Sequence, residues 1–406
     1  MKRPELTSRE RMLLTLRGQE ADRIPVAPDI SNMVPCRLTA KPFWEIYLYQ
    51  NPSLTMAYID AVKYYGMDGW LVDGGVTFEL NSPVEVASRT LSRSAEEIVV
   101  RNTYHTPDGD LTETVHYSAG NPPSWTEKLV KDLPSDFKKI RHLFSGIKSY
   151  DAVFLETIRK TYGDLGLYSA MVVPPGFQTF VHYFNDNLEG CVYSYCDYKD
   201  IFLELSDLFY RQEMQKLQIF LECGHEAILI GASGSVTLQS PDLWDELTLP
   251  FVQEATRMCR QAGALSGMHS CGLSQHLLRR VAEQTELNYI NPLELPPMGD
   301  CELADVKARY GDRLSLMGNL HTTSVMLSPH WEKVYLESLR AIRDAGKGGG
   351  FVLSTGDQCG RDTPDANILA MLRASRDFGN YPLDVEQLEA KIQQLEKEET
   401  IRALIS

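Results

Sequence analysis

The sequence predicts a (β/α)8 TIM barrel with a β-hairpin inserted after strand 2 and a C-terminal helix. Three observations lead there: eight short apolar runs recur along the chain, amphipathic helical stretches separate most of them, and the runs lack strict alternation. A strand that alternates apolar and polar residues has one wet face. A continuous apolar run suits a strand buried on both faces, as in a parallel sheet. Eight strand–helix units point to a closed barrel, with a doubly wound open sheet as the alternative.

The elements follow in order. "LTSRERMLLTLRGQ" carries Thr7 and, three residues on, Glu10, a capping box ahead of an apolar periodic run. Gly18 ends that helix. The strand candidates are "RIPVAP" (23–28), "DGWLVD" (68–73), "LGLYSAMVV" (165–173), "AILIGA" (227–232), "ALSGMHS" (264–270), "YINPLEL" (289–295), "LSLMGNL" (314–320) and "GFVLSTG" (350–356). Helical patterns such as 242–263 and 331–346 connect them. One segment breaks the rhythm: 96–118 reads as two strands around an Asp108-Gly109 turn, inside an excursion over 85–140. Residues 1–380 make up the barrel domain, and 381–406 a helical tail. In the tail, Val385, Leu388, Ile392 and Leu395 form an apolar stripe of about two heptads. Docking on the chain's own barrel and contact with a second copy in a homo-oligomer both account for it.

Of the 406 residues, 43% are hydrophobic and 23% charged, an ordinary balance for a globular protein. The formal charge of −15 argues against nucleic acid and anionic membrane surfaces as partners. No apolar run approaches the roughly 20 residues that span a bilayer. Eight cysteines are too few for a disulfide framework, and the N-terminus lacks the apolar core of a signal peptide. The expected location is cytoplasmic, where thiols stay reduced.

In such a barrel the chemistry sits at the C-terminal ends of the strands. That rule selects His269 and Cys271, Glu294, Asn319 with His321, Asp357 with Cys359, and Asp73. His269 and Cys271 lie two apart on an extended segment, so their side chains share a side. Cys359, at the end of the closing strand, reaches the same axial cavity. One imidazole and two thiolates make a zinc ligand set, and three protein ligands leave a fourth position for substrate. Glycines 267, 272, 356 and 360 permit close backbone approach. Glu294, Asn319 and Asp357 are the candidate catalytic residues: an acid/base or an anchor for His269, a substrate orienter, and a metal neighbour. The plain structural readings are an inert core thiol for Cys359, a strand-end carboxylate for Glu294 and a strand cap for Asn319. His182 follows an aromatic run whose Phe177, Phe180, Tyr183 and Phe184 suit either core or the wall of an apolar pocket. Arg361-Asp362 reads as a cap for the next helix. No nucleophile elbow, P-loop or dinucleotide fingerprint occurs.

"SRERMLLTLRGQEADRIPV" resembles the opening of uroporphyrinogen decarboxylase superfamily proteins. The C-terminal third is similar too, in "MHSCG", "NPLELPPMGDCELADVKARYGDRLSLMGNLHTT" and "GGGFVLSTGDQCGRDTPDANILAML". The resemblance implies a (β/α)8 barrel. The decarboxylases carry an Arg-Gln-Ala-Gly-Arg stretch near the N-terminus. This chain instead reads "PDISNMVPCRLTAKPFW", keeping Arg37 and Lys41 but not the motif, and Asp73 is a loose match to the family's aspartate. The closer likeness is to the corrinoid-dependent methyltransferases of the methylcobamide:thiol type, which hold zinc with a H-x-C pair and a distant cysteine. By that resemblance His269, Cys271 and Cys359 are the zinc ligands. A corrinoid protein is the partner, and a small thiol or other methyl compound the acceptor or donor. "GDQCG" departs slightly from the tighter Gly-Cys of relatives. Decarboxylation of uroporphyrinogen or a related carboxylated substrate, and a non-catalytic tetrapyrrole- or corrinoid-binding barrel, are the alternative readings.

Overall fold

The computed structural model of the protein describes residues 5–231 and 233–405. Seven parallel strands form one sheet, in the order Gly69–Val72, Gly166–Val172, Ala227–Gly231, Leu265–His269, Tyr289–Asn291, Ser315–Leu320 and Phe351–Thr355. Each lies inside a predicted apolar run. Adjacent strands are adjacent in sequence, apart from the excursion between the first two.

The run at 23–28 differs from expectation, because it forms an isolated bridge and no full strand. Val26 bridges Leu353 in parallel, Ala27 N donates to Leu353 O at 3.0 Å, and Asp68 N donates to Val26 O at 3.0 Å. The segment therefore joins both edges of the sheet, which must curl to reach it. Pro25 and Pro28 have no N–H to contribute, so a regular ladder cannot form there.

The inside of the curl is filled. Trp70, Leu167, Leu229, Leu265, Tyr289, Met317 and Val352 form one buried cluster with Met12, Leu13 and Leu16 of the first helix. Trp70 Nε1 donates to Tyr289 Oη at 3.2 Å, which satisfies both polar tips inside an apolar plug. Gly267 leaves room for Tyr289, since a Cβ there would sit 2.0 Å from the ring. The helix Ser8–Leu16 starts with the predicted capping box: Thr7 accepts from Glu10 N and Glu10 accepts from Thr7 N. Thr15 O accepts from the Ser315 hydroxyl at the start of its strand. This helix thus closes the N-terminal end of the sheet and leaves the C-terminal end as the open face.

The larger core lies between strands and outer helices. The pattern at 242–263 forms two helices, Pro241–Leu247 and Leu249–Ala262. Pro250 cannot donate to Glu246 O, and the helix breaks at Thr248. Helix Val385–Ile405 buries Leu388 and Ile392 in the main core, and Arg340 of helix Trp331–Ala345 pairs with Glu396 at 2.6 Å. The excursion contains a four-stranded antiparallel sheet of Glu85–Arg93, Glu97–Thr106, Gly109–Ser118 and Ser124–Glu127. It packs toward the helices after Val172 through a second core around Phe144, Phe180, Phe202 and Phe209. Among the described residues, no helix is long and apolar enough to cross a membrane.

Candidate functional site

The predicted site residues all lie at the open, C-terminal end of the sheet. Cys271 is drawn together with Glu294 and Asp357. Its Sγ and one carboxylate oxygen of each lie within 4.8 Å of one another. His269 and Cys359 stand beside this set and not in it. His269 Nδ1 lies 3.1 Å from Asn291 Nδ2. Cys359 is fully buried, with its thiol against the side chains of Thr355 and Thr363.

Local structure explains these placements. Gly272 takes φ +82°, a left-handed turn directly after Cys271, and its N–H donates to Glu294. That bond ties the loop after one strand to the loop after the next. Asn319 is buried and donates from Nδ2 to Leu293 O at 2.9 Å and Cys301 O at 3.4 Å. It braces the turn that carries Glu294, so its amide nitrogen is spent on backbone. Asp357 accepts from Gln358 N at 2.8 Å.

The electrostatics are those of crowded acids. Burial pushes the Cys271 thiol up to about 11, and the charges of Asp357 and Glu294 push the same way. Burial also raises the Glu294 carboxyl, as does Asp357, against the Gly272 N–H that favours the charged form. Burial holds the Cys359 thiol at about 12. A cation among these groups would relieve both the burial cost and the mutual repulsion, so the donor set fits a divalent metal.

Asp29 is a residue that sequence reasoning missed. It is buried, and its carboxyl is raised by burial and by Asp357, with nearby His269 opposing. Asp29 N is held by the Thr355 hydroxyl at 3.0 Å. It directly follows the 23–28 run, so the same strand-end rule selects it once that run counts as a stave. Two further mouth atoms, Ser270 Oγ and Asn291 Oδ1, are buried without a hydrogen-bond partner among the described residues.

The other candidates are not drawn into this set. His321 Nδ1 accepts from Thr323 N and Ser324 N, and the residue lines a narrow crevice with Glu294 and Gly356. Asp73 accepts from Thr55 and from Gly75 N. Arg37 is paired with Asp365 at 2.6 Å, and Lys41 donates to Asn51 O. Arg361 reaches Gly120 O of the excursion at 2.8 Å, and helix Asp365–Phe378 begins at Pro364 with no side-chain cap. The cap expected from Arg361-Asp362 is therefore not made. Arg361 instead ties the excursion to the mouth. His182 and Tyr183 line a separate cavity.

Residues 196–378 match the family model of uroporphyrinogen decarboxylase. The matched segment holds Cys271, Glu294 and Asp357, while the likeness in the first 30 residues lies outside it. No curated protein matches the sequence. The fold is similar to that of a methyltransferase from Methanosarcina mazei, with a TM-score of 0.63 and 16% identity over 92% of this chain and 99% of that one. A D-psicose 3-epimerase from Clostridium cellulolyticum is a remote likeness, at a TM-score of 0.31 and 13% identity over 60% of this chain and 82% of that one.

Proposed function

We propose that the open end of the sheet is the active site of a zinc-dependent methyltransferase. It moves a methyl group between a corrinoid carried on a partner protein and a small thiol or other methyl compound, in the cytoplasm. The observation that carries this reading is the meeting of Cys271, Glu294 and Asp357 within 4.8 Å at the catalytic end of the strands. The superfamily match and the methyltransferase-like fold support it.

Zinc would be held at Cys271, the residue shared by the set the structure draws together and the set selected by spacing. His269 and Cys359, which stand beside that set, would complete a nitrogen–sulfur–sulfur triad, the donor chemistry that zinc favours. When bound, zinc lowers the pKa of a thiol and keeps it nucleophilic near neutral pH. Glu294 then has the position and the raised pKa to accept the proton an incoming thiol gives up. The Gly272 N–H fixes the orientation of Glu294, and Asn319 fixes its turn. Asp357 keeps the pocket anionic and so selects a cation at its centre.

Elemental analysis of the purified protein tests this, with about one zinc per chain expected. Cys271→Ser should lose the metal. Loss in Cys359→Ser with retention in Asp357→Asn assigns the triad; the reverse pattern assigns the carboxylates. A metal-free protein that turns over uroporphyrinogen would replace the proposal with decarboxylation. Arg37 and Lys41, the cations retained near the N-terminus, are already engaged within the chain, which weighs against that alternative.

A further inference from the structure

A cavity of about 1240 Å³ lies apart from the metal-binding candidates and shares no lining residue with them. Sites for small molecules usually span about 300–1,000 Å³, so there is room for a bulky ligand. Its walls come from two excursions, which leave the C-terminal ends of the paired strands Gly69–Val72 and Gly166–Val172. Phe78, Tyr104 and Trp125 belong to the first, and Tyr183 and Phe209 to the second. Phe144 locks the floor, with edge-on contacts to Tyr183 at 5.4 Å and Phe209 at 5.2 Å.

Charge decides what such a cavity accepts. Lys216 is paired with Glu213, and Glu79 with Lys148. Both oxygens of Glu113 are already used: one accepts from Asn102 and Tyr104, the other from Trp125. Lys128 is different. Its ammonium donates to Val181 O at 2.6 Å and to Asn187, but among the described residues no carboxylate lies within ion-pair distance. An ammonium has three donors, so one remains. Burial already weighs against its charge. His182 stands beside it on the same cavity, without a side-chain hydrogen bond among the described residues. A partly desolvated cation without a counter-ion is costly, and an anion in the cavity would offset that cost.

We propose that this cavity binds a bulky apolar monoanion, an aromatic or long-chain carboxylate. Its apolar body lies against Phe78, Trp125 and Phe209, and its carboxylate rests on Lys128 with His182 as a second donor.

Calorimetric titration of the full-length protein with three isosteric probes tests this: 2-naphthoate, 2-naphthylmethanol and 2-naphthylmethylammonium. Naphthoate should bind once per chain, about tenfold tighter than the alcohol, as one charge-assisted contact gives. The ammonium probe should bind weakest. Lys128→Gln, which keeps a donor for Val181 O, should bring naphthoate to the level of the alcohol. Lys216→Gln and Cys271→Ser should leave the preference intact, and Trp125→Ala should weaken both probes. Thermal melts would show that Lys128→Gln is folded. Equal binding of naphthoate and the alcohol overturns the proposal. So does an undiminished preference in Lys128→Gln, or no binding of any probe at millimolar concentration.

Discussion

Arg11 donates from Nη1 to Asp68 Oδ1 at 2.6 Å, with both side chains almost wholly buried. The other oxygen of Asp68 accepts from Val26 N at 2.9 Å. One buried pair thus fastens the first helix to the point where the curled sheet meets its bridging segment. Removing one partner of such a pair leaves a buried charge and costs about 3–5 kcal/mol. Arg11→Met should lower the urea midpoint by that equivalent. Arg9→Met, at an exposed pair with Glu226, should cost less than about 1 kcal/mol.

The same cluster sets an acid limit. Burial opposes ionisation of Asp22, yet the Arg11 guanidinium, the Leu6 N–H and the Arg23 N–H hold its carboxyl below the ordinary range. A depressed carboxyl stabilises the fold above its unfolded pKa of about 3.9, and the stabilisation is lost as pH falls through the lower folded value. Denaturation followed between pH 5 and pH 2 should therefore show stability falling below about pH 4. In Arg11→Met that limb should be shallower.

Glu294 has the opposite sign. Burial and Asp357 raise its carboxyl, so the folded chain holds this proton more tightly than the unfolded one. Its ionisation costs stability as pH rises above the ordinary carboxylate range. Glu294→Gln keeps an acceptor for Gly272 N–H and removes the charge. Its melting temperature at pH 8 should equal or exceed that of the parent. Methyl transfer should fall by about 10²-fold or more if Glu294 is the base. A lower melting temperature at pH 8 would contradict the assigned direction.

Asn319 is predicted to act on position. Asn319→Leu leaves the carbonyls of Leu293 and Cys301 without their donor, at about 1–3 kcal/mol. Zinc should still bind, because no ligand is lost, while activity falls with the displaced Glu294. Retained activity at reduced stability would restrict Asn319 to a structural part.

Gly267→Ala would place a Cβ 2.0 Å from the Tyr289 ring. Overpacking of this kind costs about 1–3 kcal/mol. A double variant with Tyr289→Leu should be less destabilised than the sum of the two singles, as a double-mutant cycle of melts would show.

The inner strands were legible because continuous apolar runs bounded by glycine and polar turns describe strands buried on both faces. The strand-end rule then placed His269, Cys271, Glu294, Asn319 and Asp357 at one end of the sheet, since period and direction suffice for that. The first stave was harder to read. Its two prolines match a strand in hydrophobicity and deny it a ladder, and Asp29 behind it went unselected.

The sequence by itself determined the alternating parallel architecture, the capped first helix and the short list of residues at the open end. Only the tertiary structure decided which of them meet: Cys271 with Glu294 and Asp357, Asn319 with backbone, and Cys359 against two threonines. The physical reason is that strand periodicity sets the side and end of a residue. Its neighbours are chosen by the curl of the sheet, by one left-handed turn at Gly272, and by hydrogen bonds between loops far apart in the chain. The cavity around Lys128 belongs to the same class, because its walls come from two excursions that no local pattern connects.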